Sequence, residues 1–273
     1  MQVWPQSLAL VGAGKMGGAM LKGWLDGGLA TSRIVLIDPS PSPAIAALAA
    51  GHGIALNPPV ARRQAPEVLI LAVKPQMLDA AAPEILQRAS ASTLVISIIA
   101  GKTIANLAAR LPNARAFVRA MPNTPAAVGR GITGAAAHGA VTARQRELTE
   151  ALLSAIGQFE WLPDEGLIDA VTAVSGSGPA YVFALVEALA EAGAALGLDV
   201  DLAMRLARAT VEGAGELMHR EPDVAASRLR ENVTSPGGTT AAALAVLRGE
   251  DGLSPLMRRA VAAAHKRAGE LAG

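Results

Sequence analysis

The stretch Ser7-Leu8-Ala9-Leu10-Val11-Gly12-Ala13-Gly14-Lys15-Met16-Gly17 decides the fold, because an apolar run leads directly into three spaced glycines. The run predicts a buried strand, and the residues after it carry the apolar spacing of a helix. In that setting the first glycine allows a tight turn, the second lets backbone approach a pyrophosphate, and the third permits close helix packing. A dinucleotide site is therefore predicted, with an ordinary glycine-rich turn as the alternative. Its predicted binding residues are Gly12, Gly14, Lys15, Met16 and Gly17.

Short apolar runs and helical patterns alternate through the first half of the chain. Runs rich in Val, Ile and Leu predict strands at residues 7–11, 34–37, 68–72, 94–98, 116–119 and 158–162. Helical spacing predicts helices at residues 16–26, 43–50, 76–88, 104–111 and 142–156. Apolar strands separated by helices indicate an α/β fold, a right-handed, doubly wound parallel sheet of the Rossmann type.

Strand patterns stop near Gly166, and long helical patterns rich in Ala, Leu and Glu follow. They predict helices at residues 179–198, 201–221, 239–248 and 253–271. Asp199 and Thr239 stand where N-caps would stabilise these helices, and Pro179 suits a first helical turn. The change of composition predicts a dinucleotide-binding domain over residues 1–162 and an all-helical domain over residues 163–273.

Composition argues against several classes of function. The formal net charge is +1, which disfavours nucleic acid or an anionic membrane as the main partner. Cysteine is absent and the four histidines lack ligand spacing, so neither a disulfide nor a metal site is predicted. Glu187 and Glu191 interrupt the most apolar stretch, and no basic-then-apolar leader is seen. We therefore expect a cytoplasmic protein without a membrane span, and the many small helical side chains favour an oligomer.

Asp38 ends the second predicted strand, about 20 residues beyond the glycine turn, where an acidic residue bonds the adenine ribose hydroxyls. An aspartate there would also repel a ribose 2′-phosphate. The sequence leaves open a second interpretation, in which Asp38 only begins a turn before Pro39. The cations that would offset a phosphate are Arg33, Arg62 and Arg63.

Two further segments follow strands of the predicted sheet, at the edge where ligands bind. In Ala72-Val73-Lys74-Pro75, the proline pushes Lys74 to an extended conformation, which favours cofactor contact over a surface role. Gly101 follows the fourth strand in the equivalent place. In Met121-Pro122-Asn123-Thr124-Pro125, two prolines stiffen a polar segment and present the Asn123 amide, although a structural turn would have the same sequence.

Two polar segments open helices in the second half, Ser175-Gly176-Ser177-Gly178-Pro179-Ala180-Tyr181 and Ser235-Pro236-Gly237-Gly238-Thr239-Thr240. Each presents hydroxyls and backbone amides without a permanent positive charge, which suits a small carboxylate. The sequence shows no recognisable motif for a strong acid, base or nucleophile. Hydride transfer needs little more than positioning, because the cofactor carries the hard chemistry.

Taken in order along the whole chain, these segments resemble the pyrroline-5-carboxylate reductase family, which catalyses the last step of proline biosynthesis. Gly-x-Gly-x-Met-Gly, Ala-Val-Lys-Pro and Met-Pro-Asn-Thr-Pro are weak singly. Ser-Gly-Ser-Gly-Pro-Ala-Tyr and Ser-Pro-Gly-Gly-Thr-Thr in one chain are highly specific. The resemblance implies NAD(P)H-dependent reduction of 1-pyrroline-5-carboxylate to L-proline by hydride transfer to the cyclic imine. It also implies that the helical domain forms a homodimer and binds substrate, with dimers commonly assembled into a ring such as a homodecamer.

The resemblance also assigns roles to residues. Ser235, Gly237, Gly238 and Thr239 match the carboxylate-binding loop, and Thr240 matches the threonine that faces the ring nitrogen and would orient it. The stretch expected beside the nicotinamide ribose comprises Ala72, Val73, Lys74, Pro75 and Asn123. NADP is the cofactor expected from the family, but family members commonly carry a neutral residue where this chain has Asp38, so NAD fits as well.

Two rival functions are compatible with a dinucleotide domain followed by helices. The first is that of a related imine or β-hydroxyacid dehydrogenase. A β-hydroxyacid dehydrogenase generally relies on a lysine of its helical domain as acid, and residues 166–264 contain no lysine. A regulatory protein that senses NAD(H) without turnover is the second rival. It would have no need for Thr240 and the two carboxylate-type loops, so both rivals are disfavoured.

Overall fold

The computed structural model describes residues 3–60 and 65–272, which contain one eight-stranded sheet and eleven α-helices. Arg62 and Arg63 lie outside the described residues. The strands are β1 (Leu8–Val11), β2 (Ile34–Ile37), β3 (Ala55–Leu56), β4 (Val68–Leu71), β5 (Leu94–Ser97), β6 (Ala116–Met121), β7 (Gly131–Ala137) and β8 (Gly157–Trp161). The helices are α1 (Lys15–Asp26), α2 (Pro43–Gly51), α3 (Leu78–Arg88), α4 (Ile104–Arg110), α5 (Ala143–Ser154), α6 (Ile168–Val171), α7 (Gly178–Ala195), α8 (Val200–Arg220), α9 (Ala226–Asn232), α10 (Thr239–Leu247) and α11 (Leu253–Ala272).

The sheet has the strand order β3-β2-β1-β4-β5-β6-β7-β8. The first six strands are parallel, in the order of doubly wound dinucleotide-binding folds, which confirms the predicted fold class. β1 lies between β2 and β4, where the chain order reverses. Ligands bind in the crevice outside the carboxyl ends of strands at such a reversal.

The central parallel strands β1, β4, β5 and β6 are buried on both faces. Leu8 and Leu10 of β1 belong to one core cluster with α1, α2 and α5, whereas Ala9 and Val11 belong to a second with α3 and α4. On the first face, the buried Trp24 indole donates a 2.8 Å hydrogen bond to the Leu152 carbonyl and joins α1 to α5. Two-sided burial explains why these strands are continuous apolar runs rather than alternating ones.

The structure corrects several details of the sequence interpretation. The strands β3 and β7 and the helix α9 were not predicted, and β7 pairs antiparallel with β6. Strand β7 has the sequence GITGAAA, in which glycine and alanine hide the strand pattern. Asp199 caps α8 as predicted, with its carboxylate accepting from the Leu202 amide at 3.1 Å. Thr239 is not an N-cap, because Gly238 occupies that position in α10.

Packing divides the chain into two compact units, Met1–Gly176 together with Ala264–Gly273, and Ser177–Ala263. The first unit therefore contains the sheet and the end of α11. In that unit the backbone at Gly101 approaches Leu271 so closely that a Cβ at Gly101 would lie 2.6 Å from the Leu271 carbonyl oxygen. The predicted boundary after Leu162 lies one residue beyond the end of β8 and stays a prediction about domain organisation.

The helices beyond β8 leave many apolar side chains exposed. Phe183, Leu185 and Leu189 of α7 and Leu206 and Met218 of α8 are all more than two-fifths exposed. The helical stretch Glu165–Ala195 is long and apolar enough, by length and composition alone, to cross a membrane. One such helix is weak support for a span, and the expected absence of a membrane partner stays a prediction.

Candidate active site

The candidate site begins where β1, β2 and β4 end at the same edge of the sheet. The Gly12 amide donates a 2.8 Å hydrogen bond to the Ile37 carbonyl at the end of β2, and the Ala72 amide donates one of 2.8 Å to Val11 at the end of β1. The glycine turn is thus tied to both neighbouring strands, at the point where the strand order reverses.

Gly12 must be glycine for two independent reasons. Its φ is +88°, in the left-handed region, and a Cβ there would lie 2.8 Å from the carbonyl carbon and oxygen of Ala72 and 2.9 Å from the Val73 nitrogen. A Cβ at Gly17 would overlap the Gly12 carbonyl oxygen. The structure therefore brings the predicted glycine turn and the predicted Ala72-Val73 stretch into direct contact.

The turn is open at Gly14, where a dinucleotide would need room for its pyrophosphate. A Cβ at this position would meet nothing within 4 Å, so the turn is open on that side. Gly14 is also the N-cap of α1, and no side chain caps the helix there. The first amides of α1 are therefore available to an anion, and they lie at the positive end of the helix dipole. Open space beside uncapped amides fits a pyrophosphate.

Asp38 is held by a network that connects three segments. Its Oδ2 accepts from the Ala13 amide at 2.8 Å, and its Oδ1 accepts from the Ser40 amide at 2.9 Å. The second contact is the turn that the alternative interpretation expected, whereas the first fastens the carboxylate to the glycine turn. The turn contact of the second interpretation is therefore present, and the contact of Asp38 with an adenine ribose stays a prediction.

Asn57 completes this network and was not predicted from the sequence. Its side chain exchanges two hydrogen bonds with the Asp38 backbone, one with the amide at 2.8 Å and one with the carbonyl at 2.7 Å. Its φ of +50° is a conformation that asparagine tolerates better than most residues. An Asn directly before Pro58-Pro59 is the signal that would have identified it as a turn residue.

Of the three cations predicted to offset a phosphate near Asp38, Arg33 is the one that the structure describes, and it does not reach Asp38. Arg33 precedes β2, at the opposite edge of the sheet, and its Nη1 donates to the Pro5 carbonyl at 3.2 Å. Strand β2 itself separates the Arg33 backbone from Asp38, so this residue does not join the candidate site.

Lys74 and Gly101 follow the next two strands. Lys74 is exposed and extended (φ −66°, ψ 146°) before a 3₁₀ turn that begins at Pro75, as the proline predicted. Gly101 is buried against Leu271. Its backbone therefore contacts the end of α11, while cofactor contact at Lys74 and Gly101 stays a prediction.

Asn123 follows β6 and is 91% buried, since only 9% of it is exposed. Its Oδ1 accepts from the Ile132 amide at 2.9 Å, and its Nδ2 donates to the Ser175 carbonyl at 3.2 Å. The amide thus joins β6, β7 and the π-helical turn Thr172–Gly176. The predicted contact with the nicotinamide ribose is untested and stays a prediction.

The second candidate segment, Ser235–Thr240, lies in the helical unit. Gly237 has φ +70°, and the Gly238 amide donates to the Ser235 carbonyl at 3.1 Å, which closes a tight turn before α10. A Cβ at Gly238 would overlap the Ser235 hydroxyl. Within the described residues, no hydrogen bond occupies the side chains of Ser235, Thr239 or Thr240, and no side chain caps α10. The turn therefore presents free hydroxyls beside uncapped amides, as a carboxylate site requires.

Two family models match the chain in separate regions. Residues 165–271 match the model described as pyrroline-5-carboxylate reductase dimerisation. Residues 7–101 match the model described as NADP oxidoreductase, coenzyme F420-dependent. The first match covers the helical segment with its exposed apolar side chains, and the second covers the glycine turn and the first five strands.

Similar proteins extend over nearly the whole length. A pyrroline-5-carboxylate reductase of Pseudomonas aeruginosa is 40% identical over 97% of this chain and 96% of its own. The structure of such a reductase from Coxiella burnetii superposes with a TM-score of 0.89 and 35% identity, covering 98% of this chain and 99% of that one. The Plasmodium falciparum enzyme, solved with NADP bound, has a TM-score of 0.79 and 27% identity over 98% of both chains. With its glycine turn, its sheet order and these full-length matches, the chain belongs to the pyrroline-5-carboxylate reductase family.

Proposed function

We propose that this protein reduces 1-pyrroline-5-carboxylate to L-proline with a nicotinamide dinucleotide, as the last step of proline biosynthesis. The observation that carries the proposal is the Ser235–Thr240 turn, whose hydroxyls and amides are free in a member of a reductase family. A protein that only senses NAD(H) has no need for such a turn. The absence of lysine from residues 166–264 likewise speaks against β-hydroxyacid chemistry.

The dinucleotide would be held by the first unit. The Gly12–Gly17 turn and the uncapped amides of α1 would bind its pyrophosphate, and the stretch from Ala72 to Pro75 would border the nicotinamide ribose. NADP is the cofactor expected from the family, and NAD is compatible with Asp38 beside the turn. When bound, the cofactor supplies the hydride that reduces the imine carbon.

The chain's own residues would do the rest by positioning. Ser235, Gly237, Gly238 and Thr239 would bind the substrate carboxylate through hydroxyls and helix amides, with no fixed positive side chain. Thr240 would orient the ring nitrogen and relay a proton to it from water. Because a protonated iminium is already electrophilic, no strong general acid is required in this scheme.

The proposed assembly is a homodimer formed through the helical segment. The match to a dimerisation model and the exposed apolar side chains of α7 and α8 support it, since a partner surface would remove those side chains from water. Further assembly into a ring such as a homodecamer, and a cytoplasmic location, are the finer parts of the proposal.

A direct assay tests the proposed function. The purified protein is mixed with 1-pyrroline-5-carboxylate and NADH or NADPH, and nicotinamide absorbance is followed while L-proline is measured in the product. We expect oxidation with at least one cofactor and L-proline in equal amount. No oxidation with either cofactor would refute the proposal. Oxidation without proline would refute it too, because the hydride would then have gone to an acceptor other than the imine carbon.

A further inference from the structure

The carbonyl group of Ser175 lacks its normal helical partner. In an α-helix this carbonyl would accept from the amide four residues on, which here is Pro179, and proline has no N–H. The segment instead forms a π-helical turn, Thr172–Gly176, immediately before α7. Single π turns inside helices occur frequently at functional sites. Some other group must therefore satisfy the Ser175 carbonyl.

The Asn123 amide is the group that supplies the missing donor. Its Nδ2 donates to the Ser175 carbonyl at 3.2 Å, while its Oδ1 is fixed by the Ile132 amide at 2.9 Å. Because both ends of the amide are engaged and the side chain is nearly buried, its orientation is determined. The flanking Pro122 and Pro125 hold its backbone in place.

The preceding part of this segment, residues 165–171, contacts strand β6, the strand that Asn123 follows. Arg119 of β6 is buried and lies 3.2 Å from an Asp169 carboxylate oxygen and 3.5 Å from one of Glu165. Met121, at the end of β6, packs with Ile168 and Ala136 in a small apolar cluster. The ion pairs and the cluster hold the segment up to Ile168–Asp169, and Asn123 contacts its final turn at the Ser175 carbonyl.

The hydroxyl groups of the segment are turned inward as well. Ser175 Oγ donates to the Val171 carbonyl at 3.0 Å, and Thr172 Oγ1 donates to the Ile168 carbonyl at 2.8 Å. These side chains stabilise the turn and are not free for a ligand. Any contribution of the segment to chemistry must therefore come from where its backbone is placed.

We propose that Asn123 is a positioning residue, which substitutes for the N–H missing at Pro179 and thereby fixes the π turn from which the Ser177-Gly178 start of α7 continues. This inference rests on the proposed function only for its effect on turnover. Its structural half, that Asn123 holds the turn, is independent of the substrate.

The Asn123→Asp variant isolates the donor, because a carboxylate can still accept from Ile132 but cannot donate to Ser175. With 1-pyrroline-5-carboxylate we expect kcat to fall at least tenfold while the dissociation constant of the dinucleotide, measured by fluorescence titration, changes less than twofold. Amide hydrogen exchange over residues 172–178 should become faster. Asn106→Asp is the matched control, since the Asn106 side chain only accepts, from the Thr103 amide at 3.2 Å, and it should change none of these readouts.

A compensating change separates positioning from general loss of stability. Pro179→Ala restores an N–H four residues after Ser175. The double variant Asn123→Ala, Pro179→Ala should therefore have a kcat at least threefold higher than that of Asn123→Ala alone. It should also recover part of the hydrogen-exchange protection. Recovery by the double variant would support the inference even if Asn123→Asp folds poorly.

The opposite results are equally clear. Unchanged exchange over residues 172–178 in Asn123→Asp, or no recovery in the double variant, overturns the inference. A parallel rise in the dissociation constant of the dinucleotide would instead make Asn123 a direct cofactor ligand. If the wild-type protein does not turn over the imine, the proposed function fails, and the exchange measurement still decides the role of Asn123.

Discussion

The Ala13 amide donates its hydrogen bond to the Asp38 carboxylate, at 2.8 Å, so the glycine turn carries a fixed negative charge at the end of β2. The same carboxylate accepts from Ser40, and Asn57 clamps its backbone. The side chain therefore cannot turn away from a ligand without breaking its two hydrogen bonds, to Ala13 and Ser40. This charge bears on the choice between NADH and NADPH, and the tight packing of the turn bears on its tolerance of substitution.

The first prediction concerns cofactor preference. In Asp38→Asn, one side-chain acceptor remains but the charge is removed, so we expect the NADPH to NADH ratio of kcat/KM to rise at least tenfold. Two unit charges 4 Å apart interact by about 4 kcal/mol at an effective dielectric constant of about 20, and tenfold needs only about 1.4 kcal/mol after screening by solvent. Steady-state kinetics with both cofactors measures this. Asp26→Asn, an exposed change at the end of α1, is the control, and an unchanged ratio in Asp38→Asn would exclude a role in selectivity.

The second prediction concerns the close approach at Gly12. In Gly12→Ala, left-handed backbone costs about 1–2 kcal/mol, and overlap with Ala72 adds to it. Gly28 has a similar φ of +85° with nothing within 4 Å of a Cβ, so Gly28→Ala carries the conformational cost alone. We expect Gly12→Ala to lower the free energy of unfolding by at least about 1 kcal/mol more than Gly28→Ala, and to abolish dinucleotide binding. Equal losses in urea titrations would mean that the approach to Ala72 is relaxed in solution.

The third prediction addresses the proposed role of Thr240. Thr240→Val keeps the shape and removes the hydroxyl, so we expect kcat with 1-pyrroline-5-carboxylate to fall about 100-fold, the lower end for a lost proton-transfer group. Dinucleotide affinity should be unchanged. Thr240→Ser restores the hydroxyl and should recover most of the rate. Wild-type turnover in the valine variant would show that the hydroxyl neither orients nor protonates the nitrogen.

The fourth prediction concerns the buried ion pairs of Arg119. In Arg119→Met, the carboxylates of Glu165 and Asp169 lose their partner in a mostly buried place, and such losses cost about 3–5 kcal/mol. Arg110→Met is the matched control, because its pair with Asp79 is exposed and exposed ion pairs contribute little to stability. Thermal and urea unfolding should show a larger loss in the free energy of unfolding for Arg119→Met than for Arg110→Met. Comparable losses would imply that water already reaches Arg119.

The ion pair between Arg110 and Asp79 can be detected in a titration of the Asp79 carboxyl. The hydrogen bond and the charge of the Arg110 guanidinium hold the pKa of the Asp79 carboxyl below its ordinary value. In Arg110→Met, carbon-detected NMR should therefore find the Asp79 pKa higher than in the wild-type protein. A lowered folded-state pKa contributes stability that is fully present above the unfolded pKa and is lost as pH falls through the folded pKa. The change of stability with pH is therefore confined to acid pH, and the contribution itself persists at neutral pH.

The elements that the sequence predicts well are those whose burial is two-sided or periodic. β1, β2, β4 and β5 are short apolar runs that the sheet buries on both faces, so their boundaries differ from prediction by no more than a residue. β7 escaped prediction because Gly131, Gly134 and three alanines carry no strand preference. Its pairing is imposed by β6 and β8, and by close backbone approaches such as that between Gly131 and Gly157.

The candidate site divides in the same way. The glycines of the turn could be predicted because their chemistry is local, in that Gly12 and Gly17 leave no room for a side chain. The contact of Asn57 with Asp38 and the contact of Asn123 with Ser175 could not be predicted. Each joins segments distant in sequence, 19 and 52 residues apart. Only the folded backbone brings Asn123 to the Ser175 carbonyl, whose normal helical donor is missing because residue 179 is proline.

The close packing of Gly101 against Leu271 has a consequence for how the protein is made. The dinucleotide unit is discontinuous, since residues 264–273 complete it after the whole helical segment has been synthesised. On the ribosome, the sheet therefore emerges well before the end of α11, which follows the whole helical segment and only then covers Gly101. A fragment that stops at Gly176 would leave that surface exposed, so the cofactor unit cannot be completed before the helical segment has been made.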